Sequence, residues 1–235
     1  GVLGGMGPQA SCRFLDRLIC LTAASTDQDN LPVLLHSVPQ VPSRADFITG
    51  RGPDPWPWLL DGARRLEAAG VRLLVMPCNT AHHWFERLQS AVAVPWLHIV
   101  DCVANDIELA RRSRPIRRVG LLATAGTLGA RIYQSRLQHL AVSWLQPSAE
   151  RQATLVDEGI RLVKANRVAE ASRLLALAER DLIERGADAV VLACTEVPIA
   201  MAGTAQVQDS LRLDSVDALA REVVRRFFPA GGDGA

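Results

Sequence analysis

The chain has 235 residues, which suits one large domain or two of about 100 residues each. Its 26 Lys and Arg balance 25 Asp and Glu, so a net charge of +1 gives no electrostatic case for nucleic acid or an anionic membrane. Apolar residues make up 49%, an ordinary globular share, and charges interrupt every long apolar run, so neither a transmembrane helix nor a secretory leader is expected.

Taken in order, Val2 and Leu3 read as the end of a first strand. The chain opens inside the strand-like run GVLGG, so a few upstream residues are expected. GGMGPQAS makes a glycine-rich turn into a helix over 8–24, with Pro8 in the first turn, where its missing N–H has no partner to lose. A second strand is expected over 31–38. The polar stretch 39–58 is too long for a simple connector. A helix over 59–69 stops at Gly70, a third strand over 71–76 leads to Cys78, and a helix over 81–91 follows. A fourth strand spans 94–100, and Asp101 opens the next helix. The basic run 111–118 has no interleaved aromatics and reads as a solvated connector rather than a phosphate-binding arm.

A second cycle begins with a strand over 119–124, and ATAGTLGA turns into a helix over 127–140. A short strand over 142–145 precedes helices over 152–164 and 168–185, the latter with Leu174, Leu175, Ala178 and Leu182 at helical spacing. It ends at Gly186, and a strand over 188–193 leads to Cys194. The last helix starts near Asp214 or Ser215 with the stripe Val216, Leu219, Val223 and Phe227; the tail after Pro229 is expected to be disordered. Leu3 and Leu121 lie 118 positions apart, and Cys78 and Cys194 lie 116 apart, which points to an internal duplication. Strands alternating with helices predict an α/β fold of parallel sheets with helices on both faces, and ligands bind beyond the carboxyl ends of such strands.

The five cysteines, Cys12, Cys20, Cys78, Cys102 and Cys194, are odd in number and lack C-x-x-C spacing, so reduced thiols in a cytoplasm are expected. Cys12, Cys20 and Cys102 read as apolar filling. Cys78 and Cys194 stand where apolar strands give way to polar turns, and free N–H groups of such a turn favour an anion. A redox disulfide would favour cysteines close in sequence. A metal site built from Cys78, His82, His83 and Cys194 is disfavoured, because the two histidines lie on different helix faces. Proton transfer from one thiol to the other, across a carbon centre, suits a duplicated fold best. Gly5, Gly7 and Ala10 meet a loose G-x-G-x-x-A pattern, but the second strand ends in Ser37, Val38 and Pro39, without the acid a dinucleotide site needs. A turn whose N–H groups approach a small carboxylate fits better.

GGMGP, VPSR, PCNTAHH, LLATAGT, the Lys of LVKAN and CTE, in this order, resemble the aspartate/glutamate racemase family of pyridoxal-phosphate-independent enzymes. The resemblance spans nearly the whole chain. It implies two pseudo-symmetric Rossmann-like domains with the active site in the cleft between them: 1–100, rejoined by the C-terminal helix 209–229, and 101–208. It further implies a homodimer and no cofactor. By motif, Cys78 and Cys194 would be the opposed acid/base pair, and Asn79, Thr80 and Thr195 would hold the α-carboxylate and ammonium. Thr124, Thr127 and the backbone of Met6 and Gly7 would line the cleft, Arg44 would meet a side-chain carboxylate, Lys164 would also lie near the substrate, and His82 and Glu196 would tune the thiols. Asn30, the run Ala10–Ser11–Cys12 and the tryptophan-rich stretch GRGPDPWPW depart from the family pattern and bear on substrate identity. The rival classes are a one-cysteine decarboxylase or isomerase of the same fold, a non-catalytic amino-acid-binding protein and a thiol redox protein.

Overall fold

Short, mostly apolar runs build two all-parallel sheets. The computed structural model describes residues 1–204 and 211–228. In the first half, β1 (Val2–Gly4) pairs with β2 (Leu35–Ser37). Two more segments join through single parallel bridges, Val2 to Val75 and Leu74 to Trp96. The strands expected over 71–76 and 94–100 are thus reduced to bridging segments, although Leu3 N–H still donates to Val75 O and Leu97 N–H to Leu74 O. The fourth is cut short because a helix has already begun at Ile99.

In the second half, β3 (Arg118–Ala123), β4 (Ser143–Leu145), β5 (Ala189–Ala193) and β6 (Arg212–Asp214) lie in the order β4–β3–β5–β6, all parallel. The first half has the same order, with β2, β1, 74–75 and 96 as successive neighbours. No strand is expected from the sequence at β6, because three residues with one buried position carry no readable alternation.

The helices of the first half are α1 (Pro8–Leu21), α2 (Arg44–Ile48), α3 (Trp56–Ala68), α4 (Phe85–Ala91) and α5 (Ile99–Arg111). Those that follow are α6 (Ala125–Gly129), α7 (Ile132–Arg136), α8 (Ala149–Arg151), α9 (Glu158–Lys164), α10 (Val168–Glu184), α11 (Val197–Met201) and α12 (Ser215–Phe227). Alternate strand residues face opposite sides, so each sheet feeds two cores. Val119, Leu121, Val191, Val2 and Val75 enter a central core with Phe14 of α1, Ile107 of α5 and Leu219 of α12. Leu122, Val190 and Leu192 turn the other way, onto Ile160 of α9 and Leu175 of α10. Leu3, Leu74 and Met76 meet Leu59 of α3 and Leu88 of α4. The result is five layers, with α1, α5 and α12 packed between the two sheets and shared by both.

Gly70 (φ 78°) and Gly186 (φ 90°) follow the last residues of α3 and α10 in left-handed conformations, as their sequence positions suggest. Other expected elements differ as well: the strand expected over 31–38 is only Leu35–Ser37. The loop 39–58 contains α2, and a 3₁₀ turn (Thr80–Trp84) precedes α4. The helix expected over 127–140 breaks at Arg131 (φ 52°), and a π-helical turn (Gln152–Asp157) leads into α9. Among the described residues no helix is long and apolar enough to cross a membrane. The tail after Pro229 and the limit expected at 208 lie outside them.

Phe14, fully buried in the central core, tests the shared layer. Phe14→Ala is expected to lower unfolding free energy by about 3–5 kcal/mol, read by urea denaturation. A loss under about 1 kcal/mol would show that α1 contributes little to that core.

Candidate active site

The carboxyl ends of the two sheets face one another, and each central strand delivers a cysteine there. Cys78 lies just past the bridging segment 74–75 and Cys194 directly past β5; both are only 5% exposed. They line one cavity of about 340 Å³, with Met6, Ser43, Arg44, Ala45, Asn79, Thr80, Thr124, Lys164, Thr195 and Glu196. A larger cavity of about 940 Å³ lies elsewhere, around Gly1, Leu31 and Phe227, and neither thiol lines it.

Thr80 comes from the first half, and Thr124 and Thr127 from the second. Their hydroxyls form a triangle: Thr80 lies 2.9 Å from each of the others, which are 3.1 Å apart. Thr124 also caps α6 by accepting from the Thr127 N–H. Thr127 sits behind the other two and does not line the cavity. Behind them, α6 abuts α2: a Cβ at Gly126 would stand 2.6 Å from the Ala45 Cα.

Arg44 begins α2 behind the N-cap Ser43, whose hydroxyl accepts from the Asp46 N–H. Its guanidinium donates to the carbonyls of Val41 and Pro42 (3.0 Å each) and of Met6 (3.2 Å). The buried Nε has no partner among the described residues. The GGMGP turn is pinned by Ser11, whose hydroxyl accepts from the Gly5 N–H and donates to the Gly7 carbonyl. Gly7 does not line the cavity, but a Cβ there would come within 2.9 Å of Glu196 Oε1. The absent side chain therefore admits the carboxylate.

A family described as Asp/Glu/Hydantoin racemase matches residues 3–223. The chain belongs to that family. The broad specificity amino-acid racemase RacX of Bacillus subtilis is 31% identical over 201 residues, covering 84% of this chain and 85% of that protein. A glutamate racemase of Deinococcus radiodurans is 32% identical over 170 residues, covering 69% of this chain and 55% of that protein. The aspartate racemase of Picrophilus torridus superposes with a TM-score of 0.82 at 27% identity, covering 97% of this chain and 92% of that one. The enzyme is an isomerase, and its two parallel sheets flanked by helices are the fold of these racemases.

In this racemase-family enzyme the surroundings of the two thiols differ. Cys194 Sγ donates to Glu196 Oε2 at 3.0 Å. Burial, then the Glu196 charge, pushes this thiol well above the ordinary range, against the opposing charge of Lys164. Cys194 therefore rests as a thiol. His82, by contrast, does not bond the Cys78 sulfur. Its Nε2 accepts from the Ile99 N–H, so Nδ1 carries the proton and donates to the Cys78 carbonyl at 2.9 Å. Burial lowers His82 to a pKa of about 4, and burial lowers its ring neighbour His98 too. His82 is thus a neutral clamp on the backbone that carries Cys78.

The Asn79 side chain is committed to Tyr133 and Ser215. Of the cavity residues, Ser43 and Ala45 escape the sequence reading, as do Ser11, Tyr133 and Ser215 around it. Only Ser43 had a legible signal, as an N-cap preceding Arg44.

The depressed His82 pKa sets a sign. Between about 4 and the unfolded value of 6.5, the unfolded chain binds more protons, so stability is full above pH 6.5 and falls as pH drops through that window. The expected cost at the acid end is about 3 kcal/mol, and urea midpoints at pH 7.5 and pH 4.5 would read it. His82→Gln should flatten part of that slope. Glu196→Gln is expected to shift the pH profile of Cys194 alkylation to lower pH, measured by mass spectrometry after iodoacetamide pulses; an unmoved profile would remove Glu196 as a cause.

Proposed function

We propose that this enzyme racemises an amino acid by passing the α-proton between Cys78 and Cys194. The observation that carries the reading is that two cysteines from corresponding strand ends line one small cavity. As thiolate, Cys78 takes the proton from Cα on one face. The electron pair stays on Cα and its carboxylate, and the Cys194 thiol gives a proton to the opposite face. Cys78 ends as thiol and Cys194 as thiolate, and the opposite enantiomer reverses the roles. The resting thiol at Cys194, hydrogen-bonded to Glu196, suits the donor role.

The carbanion-like state needs hydrogen-bond donors on the α-carboxylate. The reading assigns these to Thr80, Thr124 and Thr195, with the backbone N–H groups of Asn79 and Met6; Thr127 supports them from behind, and Gly7 shapes the turn beside Glu196. Arg44 and Lys164 would meet a side-chain carboxylate, so aspartate and glutamate are the proposed substrates. The unpartnered Arg44 Nε supports this, because a buried donor lacking an acceptor is costly until a ligand supplies one. The likeness to RacX favours a second reading, a wider range of side chains. The proposal also takes in the domain limits at 100 and 208, a homodimer, a cytoplasmic location and no cofactor.

Incubating single enantiomers of a panel of amino acids in deuterated water tests the reading. The expected result is the antipode with deuterium at Cα, fastest for aspartate or glutamate. Cys78→Ala and Cys194→Ala should each lower turnover by about 10²–10⁴-fold. A single variant that still interconverts both enantiomers at the wild-type rate would overturn the two-base mechanism.

A further inference from the structure

Asn79 is the residue after Cys78, and Leu192 lies two residues before Cys194. A buried chain of side chains ties the two together. Ser215, the first residue of α12, donates its only hydroxyl proton to the Leu192 carbonyl at 2.8 Å. Ser215 Oγ can therefore only accept from Asn79, and Asn79 Nδ2 donates to it at 2.9 Å. That fixes the amide orientation: Oδ1 turns to Tyr133, whose hydroxyl donates at 2.6 Å. Every donor direction is then determined. Tyr133 and Ser215 are fully buried and Asn79 nearly so, and the three come from α7, α12 and the turn after Cys78.

We propose that Tyr133 and Ser215 are positioning residues that lock the Asn79 amide, and with it the turn carrying Cys78, onto the strand that ends at Cys194. The inference rests on the two-cysteine reading and adds what sets the spacing of the pair. Proton transfer to opposite faces of one carbon tolerates little displacement of either sulfur, and a misplacement of about 1 Å can cost about 10²-fold in rate. Backbone bonds alone do not join the two cysteine turns, which belong to different sheets. Neither Tyr133 nor Ser215 lines the cavity, so neither touches a substrate there. Their effect must pass through Asn79.

The test compares Tyr133→Phe, Ser215→Ala and Ser215→Thr in the full chain, with folded fraction fixed by urea denaturation. Tyr133→Phe and Ser215→Ala should lower kcat by about 10–100-fold while KM moves less than about threefold, because the cavity-lining donors remain. Ser215→Thr, which keeps the hydroxyl, should restore most of the loss. Alkylation of Cys78 by iodoacetamide should accelerate in Tyr133→Phe and Ser215→Ala while that of Cys194 stays unchanged. Wild-type kcat in the folded variants, or a loss that merely follows the folded fraction, would overturn the proposal. If the wild-type enzyme exchanges no amino-acid α-proton at all, the racemase reading has failed. The alkylation rates then decide positioning separately: unchanged Cys78 rates in the folded variants would refute it.

Discussion

A buried thiol and a buried carboxylate stand 3.0 Å apart, and much of the local architecture exists to allow it. Burial would expel either group unless hydrogen bonds held it. Cys194 satisfies Glu196 by donating to it, and Thr195 adds a longer contact to the same oxygen. Glu196 Oε1 needs space that any side chain at position 7 would fill. Gly7 in turn is held by Ser11, one turn into α1, and α1 is held by the central core. The placement of one carboxylate thus reaches back through a glycine turn to the layer that both sheets share.

Both halves use one strand order, yet the two cysteines are treated differently. The first is fixed through its backbone: His82 holds the Cys78 carbonyl and stays neutral because it is buried. The second is fixed through its sulfur, by an acid two residues on. Repetition supplies the corresponding strand ends, and divergence of the residues after each cysteine supplies different partners: a carboxylate for the Cys194 sulfur and an imidazole for the Cys78 carbonyl.

Much of this was legible in the chain. Gly70 and Gly186 mark helix ends because only a left-handed residue closes them there, and β3 and β5 are readable because every apolar position is buried. Cys78 and Cys194 stand out because each interrupts an apolar run at its polar end. What sequence could not show is what depends on distant partners. α2 hides in a proline-rich stretch because its reason for folding is contact with α6, where Gly126 admits Ala45. Tyr133 and Ser215 read as ordinary helix residues, since their hydrogen bonds span 54 and 136 positions. His82 looked like a partner for a thiol, and only the Ile99 N–H reveals its tautomer.

The threonine triangle adds a constraint on binding. Three hydroxyls own three protons, and three mutual contacts use all of them. Thr124 also accepts from the Thr127 N–H, which holds it in place. A carboxylate bound here as proposed would therefore find no free donor in the triangle until at least one of these bonds turned outward. Thr80 and Thr124 line the cavity and come from opposite halves, so the bond that opens lies across the cleft. Thr127 can remain bonded to both, because an oxygen accepts as well as donates. A carboxylate bound here as proposed would exchange the Thr80–Thr124 bond for one bond to the ligand, and the halves would stay joined through Thr127.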